Sequence, residues 1–535
     1  MSLLSNIKKI VVVGGGSSGW MSAAILIKLF PQYDITVIES PDFPTVGVGE
    51  STLQTIKEYC AILEIDEKDF MSSTDASYKL SIKFTNFGDI GDGGFHYPFG
   101  QPCYDGNIFG FDDWFFKKGV YPDTPNSDFV RSYYSGSALF ESNKFSLNQH
   151  NKFPNYDPVN SAAFHFDATK FGLWLKQKYC LPRGANLISG TVEHVDTNDK
   201  GINQLILSDG NKVTADLYID CTGWKSLLLG EALKEPFISY SDMLPNNRAW
   251  ATRLPYKDKE RELEPFTNCT ALANGWVWNI PVWSRLGTGY VYSDKFIDPE
   301  SAKEEFKQHL MSNNMICPRT REDVDSLEYK DISMRIGIHR RTFVKNVVAI
   351  GLSAGFIEPL ESNGLFSVHH FLEKLCKTLL PGTVTQWDKD AYNTAVRGMF
   401  QNFAEFVALH YALSNRHDSA YWIANGERVY DKTMPDLAPT SSVGFFDFQD
   451  RKMFTGQLDL NYGITFISTG MNRHIIDRID VIKRQFHSKT DFRKRFFDSF
   501  TKMEMRKKRW KELAEKEPTL YQYLRTHIHT TESDQ

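Results

Sequence analysis

The chain has no apolar run long enough to span a bilayer, and its early apolar patches are broken by Gly14–Gly19, so no helical membrane anchor is expected. No secretory-type leader precedes the first strand, and retention in the cytoplasm follows as the expectation. Cysteine is sparse and unpatterned. Cys60, Cys103, Cys180, Cys221, Cys269, Cys317 and Cys376 show neither CxxC nor Cys/His spacing, which argues against a disulfide framework and a zinc site and for reduced thiols. Basic excess is missing as well. With a formal charge of -5, nothing draws the chain to nucleic acid. Repeats, linkers and low-complexity tracts are absent, which excludes a solenoid or a long disordered arm. What remains is an ordinary globule, 41% hydrophobic and 24% charged, whose 535 residues exceed one core and imply two or more units. Its aromatic content of 14% is high enough to line a pocket as well as a core.

The apolar strand Ile10–Val13 runs into Gly14-Gly15-Gly16-Ser17-Ser18-Gly19 and then a helical stretch, Trp20–Phe30. This is GxGxxG in the context it needs: Gly14 for the tight turn, Gly16 for backbone approach to a pyrophosphate, and Gly19 for close helix–strand packing. A second strand, Asp34–Ile38, ends at Glu39, where an acid accepts a ribose hydroxyl and disfavours a 2′-phosphate. NAD or FAD is therefore expected. Pro44–Thr52 contains Gly47 and Gly49 before Glu50, a further close approach of backbone to the cofactor or a plain turn. Val192, Leu352 and Leu365 complete the expected cofactor lining, together with Ser17 and Ser18.

Ser77–Phe84 alternates, so Tyr78, Leu80, Ile82 and Phe84 share one face and Lys79, Ser81 and Lys83 the other. Such lysines are usually solvated. One turned into a cavity instead offers a positive donor to an electrophile. Asn86–Pro154 is irregular and rich in Gly, Phe, Tyr and Pro, and reads as an aromatic lid in which His96, Tyr97 and Phe99 line a substrate pocket or simply pack. Asn186–Val195 and Leu205–Asp220 read as strands leading to Cys221-Thr222-Gly223-Trp224, so the dinucleotide unit is discontinuous. In Gly275–Pro281, Trp276, Trp278 and Ile280 fall on one face. Gly287-Thr288-Gly289 is expected to turn the chain into a hairpin partner at Tyr290–Ser293. Beyond Leu380 the pattern is mainly helical and charged.

Phe356–Leu365 joins the buried strand Val347–Gly351 to a helical run from Phe366. Here Glu361 precedes Ser362, Asn363 and Gly364, whose successive N–H groups at a helix start suit a small anion or merely an acidic helix cap.

Taken together, Gly14–Met21, Gly47–Ser51, Ser77–Phe84, Asp220–Trp224, Gly275–Pro281, Arg285–Ser293 and Phe356–Gly364 resemble the flavin-dependent halogenases of the tryptophan halogenase type, over most of the chain to about Trp422. The double-tryptophan strand and the lysine strand are specific to that family; GxGxxG is not. The resemblance implies an α/β fold with α+β parts: a Rossmann-like, aromatic hydroxylase-like FAD module, a second sheet and a mostly helical C-terminal substrate module. The expected boundaries are 1–85, 155–235 and 330–385 for the FAD module, and 86–154, 236–329 and 386–535 for the substrate module. It further implies reduced FAD from a separate reductase, O2 and halide as co-substrates, and hypohalous acid travelling to Lys79, assisted by Glu361. By the same resemblance the backbone around Ser362, Asn363 and Gly364 holds the halide, and Trp276 and Trp278 shield the flavin. No metal is implied, a small aromatic is the organic partner, and the oligomeric state is open.

Lys79 would hold the oxidant by hydrogen bond, or as a haloamine if its amine is neutral. Two departures from the family pattern matter. Ser362-Asn363-Gly364 replaces the usual Ser-Thr-Gly, which leads to an expectation of bromide over chloride. Phe95–Phe99 and Gly444–Phe448 lack the polar clamp for an amino acid, so the expected substrate is an indole or phenol without that handle. No second nucleotide fingerprint is present, in keeping with an external reductase.

Overall fold

A computed structural model describes residues 4–42, 50–91, 93–107, 111–428, 467, 469–471 and 490–530. Gly49 and the stretch Gly444–Phe448 lie outside the described residues. The chain divides into two compact units: Met1–Ala76, Phe164–Ala249 and Asp331–Ala404 form the first, and Ser77–Ala163, Trp250–Lys330 and Glu405–Gln535 the second.

In the first unit, Ile10–Val13 and Ile35–Ile38 are almost wholly apolar and buried on both faces, as a parallel sheet covered by helices requires. The six-stranded sheet runs Phe343–Val344, Val347–Ala349, Leu217–Asp220, Lys9–Val13, Asp34–Glu39, Asn186–Ser189. All neighbours are parallel except the first pair. From Lys9–Val13 the chain builds the sheet outward to either side, so its carboxyl end is the switch point where such sheets take a ligand. The Gly-rich loop lies there.

Leu205–Asp220, expected as one strand, is three pieces: Gly201–Leu207, Lys212–Val213 and Leu217–Asp220. The cause is local. Asp209 and Gly210 fold the first two into an antiparallel hairpin, with Gly210 at φ 83°, and only the third joins the parallel sheet. Asn186–Val195 is likewise two strands, Asn186–Ser189 and Val192–Asn198, in different sheets.

The second unit is built on a largely antiparallel sheet in the order Arg248–Leu254, Leu286–Tyr292, Gly275–Pro281, Phe266–Ala271, Ser81–Thr85, Phe95–Pro98, within a sheet of seven strands. Phe266–Ala271 pairs in parallel with Ser81–Thr85. Val277, Tyr290 and Tyr292 pack with Trp250 and with Phe306 and Leu310 of helix Pro299–Met311. The glycines expected to turn at 287–289 lie inside strand Leu286–Tyr292 instead, and the reversal falls at 282–285, where the Val282 N–H donates to the Arg285 carbonyl. Gly289 sits directly opposite Trp278, and a Cβ there would come within 2.3 Å of the indole ring. Gly289 makes room for a side chain rather than bending the backbone.

Asn86–Pro154, expected to be irregular, contains the strand Phe95–Pro98 and helices Asp112–Val120, Asp128–Tyr133 and Ser137–Phe140. Aromatic density concealed these helices. Trp114, Phe129 and Tyr133 bury against one another, while Asp128 accepts from Trp114 Nε1 at 3.0 Å and from Lys117 at 2.7 Å. Lys117 and Lys507 together hold the Asp128 carboxyl down at about 2 despite its burial.

Candidate active site

In the first unit the Gly-rich loop has the geometry its spacing predicts. Gly14 adopts φ 118°, with its N–H donating to Ile38 O, and a Cβ there would sit 2.2 Å from the Cys221 carbonyl. A Cβ on Gly19 would lie 1.8 Å from Gly14 O, whereas one on Gly16 would meet nothing within 4 Å. Helix Ser17–Leu29 starts on Gly16 with no side-chain cap, so its first N–H groups stay available to an anion. Glu39 folds over Gly15 and accepts from Lys176 Nζ. Ser18 lies against Gly351, which brings the Gly351–Ser353 turn, with Leu352, to the same loop. Ser17 donates to Ala168 O at 2.9 Å. Val192 opens a strand directly after Thr191, whose hydroxyl is 2.7 Å from that of Ser40. An open cradle at Gly16, uncapped N–H groups and a carboxylate at the end of the second strand fit a dinucleotide such as FAD.

Asp220 has no outward role. Its carboxylate accepts from Thr222 N–H and hydroxyl and from the Leu228 and Leu229 N–H groups, and so fixes the turn behind the Gly-rich loop. Burial pushes the neighbouring Cys221 thiol up to about 12, which keeps it protonated and a poor target for an oxidant.

The Glu361 loop is more tightly bound than its sequence suggests. Pro359–Glu361 is a single 3₁₀ turn closed by Ser362 N–H to Pro359 O, and Ser362 at φ 60° swings the chain into helix Asn363–Leu379. Glu361 is buried, as are Ser362 and Asn363. Ser362 Oγ is 3.0 Å from Ser51 Oγ, and the Asn363 side chain donates to Ile357 O at 3.3 Å. Asn363 Oδ1 has no partner among the described residues. Leu365 is buried on the first turn of the helix. A second buried carboxylate, Glu358, accepts from Asn246 at 2.7 Å, and nothing in the sequence motif separates it from Glu361.

In the second unit Lys79 is fully buried, so the alternation that grouped it with solvated lysines gave its face but not its surroundings. Strand Ser77–Lys79 is separated from Ser81–Thr85 at Leu80, whose N–H donates to Pro265 O. Tyr78 stacks on Phe145 with centroids 4.3 Å apart, while Lys79 Nζ lies 5.2 Å from the centroid of Phe99. His96 bonds through Nδ1 to Ser81 Oγ at 3.0 Å and packs between Phe140 and Phe266. Burial, then Lys83 and Arg131, hold the His96 imidazole well below its ordinary range, so it is neutral. Tyr97 is half-buried and meets Phe406 edge-on. Ser81, Phe140 and Phe266 were not singled out in the sequence; their contact with His96 depends on strand pairing that no short motif encodes.

Trp276 and Trp278 lie on one face of their strand with centroids 6.2 Å apart, at 0% and 7% exposure. The indole N–H of Trp278 has no partner among the described residues. Gly289→Ala is expected to displace Trp278 and to cost about 1–3 kcal/mol by overpacking. Denaturant unfolding followed by tryptophan fluorescence measures both effects, and an unchanged midpoint refutes the assignment of Gly289 as the glycine that seats the ring.

Among the described residues no cluster of three His, Cys, Asp or Glu could hold a metal, and no helix is long and apolar enough to cross a membrane. Residues 9–471 match the profile of the tryptophan halogenases. The chain is 34% identical over 441 residues to the tryptophan 6-halogenase SttH of Streptomyces toxytricini, covering 78% of this chain and 80% of that protein. It is also 34% identical over 441 residues to the tryptophan 7-halogenase RebH of Lentzea aerocolonigenes, covering 79% of each. The solved structure of SttH superimposes with a TM-score of 0.81 at 30% identity, over 97% of this chain and 99% of that one. The apo structure of VirX1 does so with a TM-score of 0.86 at 37% identity, over 98% and 100%.

The chain therefore belongs to the tryptophan halogenase family. It is an FADH2-dependent halogenase, a two-component oxidoreductase with the α/β fold of that class.

Proposed function

We propose that the protein halogenates an electron-rich indole or phenol lacking the amino-acid handle, taking bromide in preference to chloride. The observation that carries this reading is Lys79: a completely buried amine beside an aromatic ring, on the strand where the family pattern has its lysine. When bound, reduced FAD delivered by a diffusing reductase supplies, with O2 and halide, the hypohalous acid. The remaining work belongs to the chain.

A free oxidant of this kind attacks methionine, cysteine and tryptophan, so the route must be enclosed. Trp276 and Trp278 wall off the organic substrate. Lys79 receives the oxidant: an ammonium donates a hydrogen bond to its oxygen and polarises the oxygen–halogen bond, and a neutral amine takes the halogen with loss of water. Glu361 stabilises positive charge on the ring as the new carbon–halogen bond forms and accepts the ring proton as aromaticity returns. Asn363 replaces a hydroxyl donor with an amide in the halide niche, which favours the anion that sheds water more easily.

The test is turnover of an aromatic library, free tryptophan included, with reduced FAD, O2 and equimolar chloride and bromide, read from isotope patterns by mass spectrometry. Mainly brominated indoles or phenols are expected. Mainly chlorinated product sinks the halide preference, ready turnover of free tryptophan sinks the substrate class, and hydroxylation independent of halide makes the protein a monooxygenase.

A further inference from the structure

Glu50 stands on the two-residue strand Glu50–Ser51, which pairs antiparallel with Phe166 and His165. Its Oε2 lies 3.6 Å from where a Cβ on Gly364 would sit, and among the described residues outside the helix itself no other heavy atom lies within 4 Å of that point. Next to it, Ser51 is tied to Ser362 through their hydroxyls at 3.0 Å, so the strand is anchored to the loop it faces. That loop opens the 17-residue helix Asn363–Leu379, where Asn363, 4% exposed, has an amide oxygen without a partner among the described residues.

An acid beside a helix start is ordinary in itself, but an ionised carboxylate there occupies the space and cancels the field that an incoming anion would use. A carboxyl group carrying its proton does the opposite and donates a hydrogen bond. We propose that Glu50 closes the halide niche as a neutral carboxyl, its O–H donating to the bound anion, so that halide is admitted only while Glu50 holds its proton. This rests on the assignment of the niche to Asn363 and Gly364.

The electrostatics agree with that geometry. Glu50 as a residue is only half-buried, but desolvation of its carboxyl end and then the nearby Asp167 push the group up to about 7. Asp167 is fixed by its place as the cap of helix Ala168–Trp174, accepting from Thr169 and Lys170 N–H at 2.9 and 3.0 Å. Lys170 itself reaches Asp75, at 3.8 Å. On the loop side the neighbouring titratable groups are Glu361 and, further along the helix, His369, which burial holds down at about 3 and therefore uncharged. The sign follows: below about 7 Glu50 is neutral and donates, and above it the carboxylate repels the anion.

The experiment uses the oxidised FAD-loaded protein and reads bromide affinity from the bromide NMR line width, at constant ionic strength with sulfate as the balancing anion. One ionising group with its midpoint near 7 predicts that affinity falls about tenfold from pH 6 to pH 8. Glu50→Gln keeps a donor that cannot ionise and should hold the low-pH affinity across that range. Asp167→Asn keeps the helix cap, removes the charge beside Glu50 and should move the midpoint to lower pH. Wild-type affinity independent of pH, or a slope that survives in Glu50→Gln, overturns the proposal. Gly364→Val, which fills the niche, separates the two assignments: if bromide broadening survives that substitution, the niche lies elsewhere and both fall.

Discussion

Lys79→Met is expected to reduce halogenated product by roughly 10³-fold, the middle of the range for loss of one positioned acid–base group, while FAD binding and flavin reoxidation continue unchanged. Methionine keeps much of the lysine stem, so the packing around Tyr78, Phe145 and Phe99 has little reason to collapse. The buried amine, in contrast, has no substitute. Oxidant should then escape, and a diffusible trap added to the reaction should be halogenated in place of the substrate. Product yield by mass spectrometry, flavin reoxidation by absorbance and halogenation of the trap are read from the same reaction. Glu361→Gln should cost about 10²-fold, and the double variant should be no worse than Lys79→Met, since residues acting in one step do not add. Full product from Lys79→Met means that halogen transfer does not pass through the amine.

Two single-methyl changes in the Gly-rich loop should separate folding from cofactor affinity. Gly19→Ala forces a Cβ to within 1.8 Å of Gly14 O, which is backbone and cannot swing aside. Overpacking there should cost about 3 kcal/mol and weaken FAD binding at least about 100-fold, the equivalent of about 2.7 kcal/mol. Gly16→Ala points its methyl into open space, so the melting temperature should stay within about 1 °C of wild type while FAD binding is lost to a similar degree. Thermal unfolding of the apoprotein and fluorescence titration with FAD give both numbers. Unimpaired FAD binding by Gly16→Ala would remove the pyrophosphate from this cradle.

The parts legible in the sequence were those in which chemistry and geometry are carried by adjacent residues. Gly14 and Gly19 each had one physical reason to be glycine, a tight turn and close packing, and the backbone gives each that reason, while Gly16 faces open space. The paired tryptophans share a face because strand alternation allows nothing else. Lys79 was less legible, since both faces of its strand are buried and an alternating pattern cannot say what surrounds a side chain on either face. Gly289 misled because glycine signals a turn locally, while its purpose here, space for Trp278, comes from the opposite strand. Short helices between 112 and 140 were hidden by aromatic residues that pack in every direction and blur the 3.6-residue period. The upward shift of the Glu50 carboxyl comes from desolvation and then from Asp167, both of which only the fold brings about.

The left-handed backbone at Ser362 limits how this loop can vary. At φ 60° glycine and asparagine are comfortable, serine is tolerated, and β-branched residues are strongly disfavoured. Gly364 faces the Glu50 carboxyl across the proposed niche, so a larger side chain there would fill it. Asn363, already helical, is the position left for diversification, so libraries aimed at altering anion choice, and natural drift within the loop, should concentrate their accepted changes on that residue.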